Sequence, residues 1–195
     1  MDEIYLSIVI PAYNEENRLP GSLQTILNYL AAQDFRSEII VVDDGSSDQT
    51  YNRSSEFKKD HPNLTVLKNE KNSGKGYSVQ RGVFASKGKY ILFSDADLST
   101  PISELEKFYG LFDKGIDVII AARNLPGSLI KIKQPLHREI SGYVYRKLNR
   151  ILFNHGLHDT QCGFKGFQRD AAMTLFKKQT VCDFAFAIEI MLIAR

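Results

Sequence analysis

The strongest constraint in this 195-residue chain is a repeated alternation. Short, continuous apolar runs are separated by segments with helical periodicity, and the runs end in acidic or glycine-containing turns. Residues 5–12 (YLSIVIPA), 38–42 (EIIVV), 64–68 (LTVLK), 90–93 (YILF) and 118–121 (VIIA) read as strands. Residues 16–32, 47–59, 75–86 and a segment from Pro101 to about residue 114 read as helices, with Pro101 suited to a first turn. Unbroken apolar strands between helices predict an α/β fold with a mostly parallel central sheet covered on both faces. Ligands of such sheets bind at the carboxyl ends of the strands. That rule draws together three separated segments, residues 11–15, 43–46 and 95–97, because each follows a strand.

After residue 122 the pattern changes. Residues 124–135 form a basic loop with Pro and Gly, and residues 137–154 read as a helix. Residues 159–167 read as a loop or short strand, and two helical stretches follow. The chain is expected to be one domain in two halves, residues 1–122 and 123–195.

Composition narrows the class. Hydrophobic residues are 43% and charged residues 25%, which is globular rather than disordered. No apolar run approaches the roughly 18 residues of a membrane span. No basic region precedes an apolar stretch at the N-terminus, so no signal peptide is expected. Two cysteines, Cys162 and Cys182, are too few for a disulfide scaffold, which favours a reducing compartment. The net charge of +2 hides an asymmetry. Residues 123–150 hold seven cations and one acid, Glu139, and the rest of the chain is net acidic. Such a block suits an anionic partner, although a charge run by itself is more often a solvated face.

Two acidic motifs carry the chemistry. Asp95 and Asp97 leave a buried strand two residues apart, and both can serve one cation if the backbone turns there. Hard oxygen ligands suit Mg²⁺ or Mn²⁺, which also bind phosphates. Two such carboxylates would repel unless a cation joins them. Asp43 and Asp44 end another strand, where they can accept hydrogen bonds from a base or ribose, with Ser46 or Ser47 capping the next helix. Residues 72–76 (NSGKG) offer a glycine-rich helix start that could face phosphate, without the Walker spacing. The four histidines show no zinc rhythm.

Together, IVIPAYNE at 8–15, VVDDGS at 41–46, NSGKG at 72–76 and LFSDADLSTP at 92–101 resemble glycosyltransferase family 2, whose fold is called GT-A. ARNLPG at 122–127, DTQCGFK at 159–165 and FAFAIE at 184–189 resemble its dolichyl-phosphate β-glucosyltransferase branch. The resemblance implies a GT-A, Rossmann-like sheet and an inverting, metal-dependent hexosyltransferase. Its donor would be a nucleotide sugar, UDP-glucose in the first instance, and its acceptor a polyprenyl or dolichyl phosphate. Pro11, Ala12, Tyr13 and Glu15 would line the nucleoside pocket, Asp43 would meet the base with Asp44 close by, and Lys75 would lie near the nucleotide. Asp95 and Asp97 would hold Mg²⁺ or Mn²⁺ and the diphosphate, Asp97 most directly. Arg123, Lys131, Lys133, Arg138, Gln161 and Lys165 would serve the acceptor or the phosphates.

The resemblance also implies a cytoplasmic protein peripheral at an anionic membrane surface, with no nucleic-acid partner. The branch usually carries Asp where this chain has Ala187, and its members usually continue past Arg195, so C-terminal elements of relatives are expected to be missing. The alternatives are a GDP-mannose-using polyprenyl-phosphate mannosyltransferase and a non-catalytic nucleotide-sugar-binding module. A phosphorelay receiver is a weaker one, since receivers lack a second acidic pair at Asp95 and Asp97.

Overall fold

The computed structural model describes residues 3–122 and 161–195. In chain order the elements are β1 (Leu6–Ala12), α1 (Leu19–Ala31), β2 (Ser37–Asp43), α2 (Thr50–Phe57), β3 (Leu64–Lys68), α3 (Lys75–Ala85) and β4 (Tyr90–Ser94). A 3-10 turn (Ile102–Leu105) leads into α4 (Glu106–Phe112) and β5 (Val118–Ile120). Residues 161–195 add β6 (Phe164–Gln168), α5 (Arg169–Lys177) and α6 (Phe186–Ile193). The predicted elements of residues 124–154 lie outside the described residues, as do Arg123, Lys131, Lys133 and Arg138.

Six strands form one sheet in the order β3-β2-β1-β4-β6-β5. The β3-β2-β1-β4 portion is parallel, as the apolar strands predict. β6 is antiparallel to both of its neighbours, with Phe93 opposite Lys165 and Ser94 opposite Phe164. This strand from the second half of the sequence therefore separates two strands of the first. Its amino end lies beside the carboxyl end of β4, which brings Cys162 and Gly163 to the same rim as Asp95.

Alternation along the strands divides the core. Ile8, Ile10, Ile39, Val41 and Leu92 meet α1 and α4 on one face, where Leu23, Ile26, Phe108 and Phe112 are buried. Val9, Ile91, Phe93 and Phe167 meet α3, α5 and α6 on the other, against Val79, Phe176, Phe186 and Met191. Burial on both faces explains why these strands read as continuous apolar runs and not as alternating ones. The chain proceeds outward from β1 through β2 to β3, then returns to place β4 on the other side of β1. That reversal opens a crevice at the carboxyl ends of β1 and β4, the usual ligand position in such a sheet.

Candidate active site

Three loops meet at this crevice. The first follows β1. Asn14 adopts φ +55°, and its backbone N–H donates to Ser46 Oγ at 3.0 Å. Its Oδ1 accepts the Ser47 backbone N–H at 3.0 Å. Ser46 and Ser47 thus join the loops after β1 and β2 instead of capping α2. That helix has no side-chain cap on its first residue. Its opening N–H groups go to carboxylates: Gln49 to Glu16 at 2.8 Å and Thr50 to Asp48 at 2.9 Å. Pro11 and Ala12 are buried at the strand end, whereas Tyr13 is 46% exposed. Glu15 accepts two hydrogen bonds from Arg18, at 2.7 and 2.6 Å. The Glu15 hydrogen bond and charge, with a smaller contribution from Asp97, raise the Arg18 pKa.

The second loop holds the two aspartates after β2, and their environments differ. Asp43 is fully buried, and neither carboxylate oxygen has a hydrogen-bond partner among the described residues. Buried polar atoms are nearly always satisfied, so both Asp43 oxygens are able to accept from a donor that reaches the crevice. Asp44, on the opposite face, is saturated. Its Oδ1 accepts from Asn69 Nδ2 at 2.7 Å and from the Ser73 N–H at 2.9 Å, and its Oδ2 accepts the Gly74 N–H at 2.9 Å. Asp44 is therefore the anchor of the glycine-rich loop. Asp44→Ala would leave those two loop N–H groups unpartnered and should cost about 2–4 kcal/mol. Urea denaturation checks this, with a loss under about 1 kcal/mol contradicting the anchoring role.

The third set surrounds Asp95. Lys75, the first residue of α3, pairs with Asp95 Oδ1 at 2.6 Å. Asp95 is thus already paired with a cation of the chain's own. Gly74 takes φ +98°, and a Cβ there would stand 2.3 Å from the Cys182 carbonyl oxygen. Glycine is required at that step for both conformation and space. Gly163 accepts the Asp95 N–H at 3.0 Å, and a Cβ on it would lie 1.8 Å from Asp95 Oδ2. Lys165 is buried, and its ammonium donates to the Cys162 carbonyl beneath the Phe93 ring. Lys75, Phe93, Asp95, Gln161, Lys165 and Phe184 line a cavity of about 210 Å³. Ala187 lies on the same wall.

Asp97 is exposed two residues on, with Oδ1 accepting the Ser99 N–H at 3.0 Å. Leu98 takes φ +47° and turns the chain immediately after it. Asp97 and Arg18 border a second, open cavity of about 660 Å³ between α1 and the 3-10 turn. No group of three or more His, Cys, Asp or Glu side chains gathers for a metal among the described residues. Among the described residues, Asp95 and Asp97 are two hard ligands of the kind that suits Mg²⁺ or Mn²⁺. Asp97 is the more available of the two, since Asp95 is engaged by Lys75.

The crevice therefore brings together Pro11, Ala12, Tyr13, Glu15, Asp43, Asp95 and Asp97 on one rim, with Lys75, Gln161 and Lys165 on the cavity side. Sequence reasoning missed Asn14, Asn69, Gly163, Phe184 and Glu189. Gly163 and Glu189 stood inside the motifs DTQCGFK and FAFAIE without a role.

Residues 7–176 match the family model described as Glycosyl transferase family 2. The dolichyl-phosphate beta-glucosyltransferase of Homo sapiens is 35% identical, over 97% of this chain and 63% of its own length. Those of Dictyostelium discoideum and Saccharomyces cerevisiae are 34% and 33% identical, over 100% and 99% of this chain and 63% of each relative. The chain thus spans less than two thirds of the curated relatives it matches. A mannosyltransferase from Pyrobaculum calidifontis in complex with GDP-Man and Mn²⁺ superposes with TM-score 0.62 at 18% identity, covering 97% of this chain and 52% of that one. Glucosyl-3-phosphoglycerate synthase from Mycobacterium tuberculosis in complex with UDP gives TM-score 0.60 at 22% identity, covering 86% and 57%. These likenesses bear out the expected GT-A α/β architecture.

Proposed function

The chain belongs to glycosyltransferase family 2, and from that premise we propose that it transfers glucose from UDP-glucose to a polyprenyl phosphate with inversion at the anomeric carbon. The observation that carries the site assignment is the fully buried Asp43, with two unpartnered oxygens at the crevice that also holds Asp95 and Asp97. A nucleotide sugar carries a base at one end, the sugar at the other and the diphosphate between them. Asp43 would accept from the base. Asp95 and Asp97 would hold Mg²⁺ or Mn²⁺, which when bound neutralises charge on the leaving diphosphate. Lys75 adds a fixed positive charge beside them, held in place by Asp95 and by the Asp44-anchored loop.

A lipid phosphate asks less of the site than a hydroxyl acceptor would. A hydroxyl acceptor needs a carboxylate base to take its proton. A lipid phosphate, with a second pKa of about 6, is already largely ionised at pH 7. Gln161 and Lys165 border the cavity where such an anion would approach, and Arg123, Lys131, Lys133 and Arg138 would draw it in from an anionic membrane surface. Among the described residues, no helix is long and apolar enough to cross a membrane.

A carboxylate can accept one N–H from uracil or two from guanine, so Asp43 does not by itself choose the base; the glucosyltransferase relatives favour glucose and hence UDP. Calorimetry with Mn²⁺ should show UDP binding at least about tenfold tighter than GDP. Asp43→Ala should weaken UDP by about tenfold, the value of one good hydrogen bond. Tighter GDP binding would move the donor to GDP-mannose, and an unchanged Asp43→Ala affinity would remove Asp43 from the base.

A further inference from the structure

The turn between α5 and α6 is fastened by side chains, Gln179 donating to the Val181 carbonyl at 2.7 Å and Glu189 accepting three bonds. Glu189, in the first turn of α6, accepts the Thr180 N–H at 3.0 Å through Oε1 and the Val181 N–H at 2.9 Å through Oε2. The Thr180 hydroxyl adds a bond to Oε1 at 2.6 Å. Partial burial pushes the Glu189 pKa up, but the Thr180 hydroxyl and the two backbone N–H groups outweigh it and hold the carboxyl below its usual value. Asp183 Oδ1 accepts the Ala185 N–H at 2.8 Å and tightens the same turn.

What this turn touches is the lysine loop. The Cys182 carbonyl accepts the Tyr77 N–H at 3.1 Å in the first turn of α3. It also lies so close to Gly74 that no Cβ fits, and the Val181 carbonyl stands 2.7 Å from where a Cβ of Gly76 would be. Phe184 is 69% exposed, yet its ring lies 5.3 Å from Lys75 Nζ. Lys75 is therefore held from two sides: Asp44 grips the loop before it, and the Glu189-fastened turn grips the start of its helix and covers its ammonium. A cation beside an aromatic face gains from the ring quadrupole, which favours one position of the Lys75 head.

We propose that Glu189 is a positioning residue for the Lys75–Asp95 pair, acting through the turn of residues 180–185 and its Phe184. Glu189 meets no substrate. It sets where the Lys75 charge stands, and the consequence for turnover rests on the sugar-transfer reading above. A displacement of about 1 Å at such a group can cost up to a hundredfold in rate.

The test has two arms on the full chain. Hydrogen–deuterium exchange reads peptides covering residues 73–77 and 180–181, and a transfer assay with UDP-glucose, polyprenyl phosphate and Mn²⁺ reads kcat and donor KM. For Glu189→Ala, exchange should rise about tenfold or more in both peptides, while distant peptides in β1 and β2 keep their protection. kcat should fall about tenfold or more with donor KM changed less than about threefold. Glu189→Gln keeps one oxygen acceptor for Thr180 but turns its NH2 toward the Val181 N–H, so it should recover part of both readouts. Faster exchange at 180–181 with unchanged exchange at 73–77 overturns the proposal, whatever the activity. A loss of kcat that Gln does not rescue, accompanied by faster exchange throughout the chain, makes Glu189 a general structural residue and also overturns it. Should UDP-glucose give no turnover in the wild type, the exchange arm still decides the positioning, and the failure belongs to the donor assignment.

Discussion

Asp97→Asn is expected to reduce sugar transfer by two to three orders of magnitude, about the loss seen when one preorganised charge-stabilising group is removed. The fold should be unaffected. Asp97 is exposed, and its hydrogen bond from the Ser99 N–H to Oδ1 can be accepted equally by an amide oxygen. A surface change of this kind alters stability by about 0.5 kcal/mol or less. The neutral amide, however, cannot replace a carboxylate on a hard divalent cation. Steady-state kinetics and thermal unfolding of the same preparation separate the two effects. An Asn variant that turns over like the wild type would remove Asp97 from the metal.

Gly163→Ala should be nearly as damaging for a different reason. Its Cβ would stand 1.8 Å from Asp95 Oδ2 and 2.1 Å from Cγ, well inside contact distance. The backbone cannot retreat easily, because the Asp95 N–H is bonded to the Gly163 carbonyl at 3.0 Å beside the β4–β6 pairing. The Asp95 carboxylate must swing away, and its 2.6 Å contact with Lys75 is lost. We expect kcat to fall about a hundredfold, with a stability loss of about 1–3 kcal/mol from the local overpacking. Kinetics alongside urea unfolding checks both numbers. Unchanged kcat in Gly163→Ala would mean that the position of Asp95 is not critical.

The parallel portion of the sheet was readable because its strands are buried on both faces and leave unbroken apolar runs. The acidic residues at their ends were readable for a related reason: Asp43, Asp95 and Asp97 interrupt those runs where a buried strand opens to the crevice. The role of Asp44 was not readable. Nothing local distinguishes a carboxylate that anchors Ser73 and Gly74 from one that waits for a ligand, because the distinction depends on contacts 29 and 30 residues away. Ser46 and Ser47 misled for the same reason. Both are good helix caps in isolation, but Asn14, 32 and 33 residues distant, claims them first. β6 offered only five residues with a glycine in the middle, FKGFQ, and its insertion between β4 and β5 is a matter of sheet order that periodicity does not encode. Without that placement, the approach of Gly163 to Asp95 could not be foreseen, and Lys165 entered only through the family resemblance.

The central claim is tested most directly by the lipid product. The chain is incubated with UDP-glucose, polyprenyl phosphate and Mn²⁺, and the extracted lipid is examined by mass spectrometry and anomer-specific glucosidase digestion. The account predicts a polyprenyl phosphate heavier by a single hexose, linked as the β-anomer, formed with Mn²⁺ and absent in excess EDTA. Equal product in EDTA, an α-linked product, or no glycolipid from UDP-glucose while GDP-mannose yields one, would contradict it.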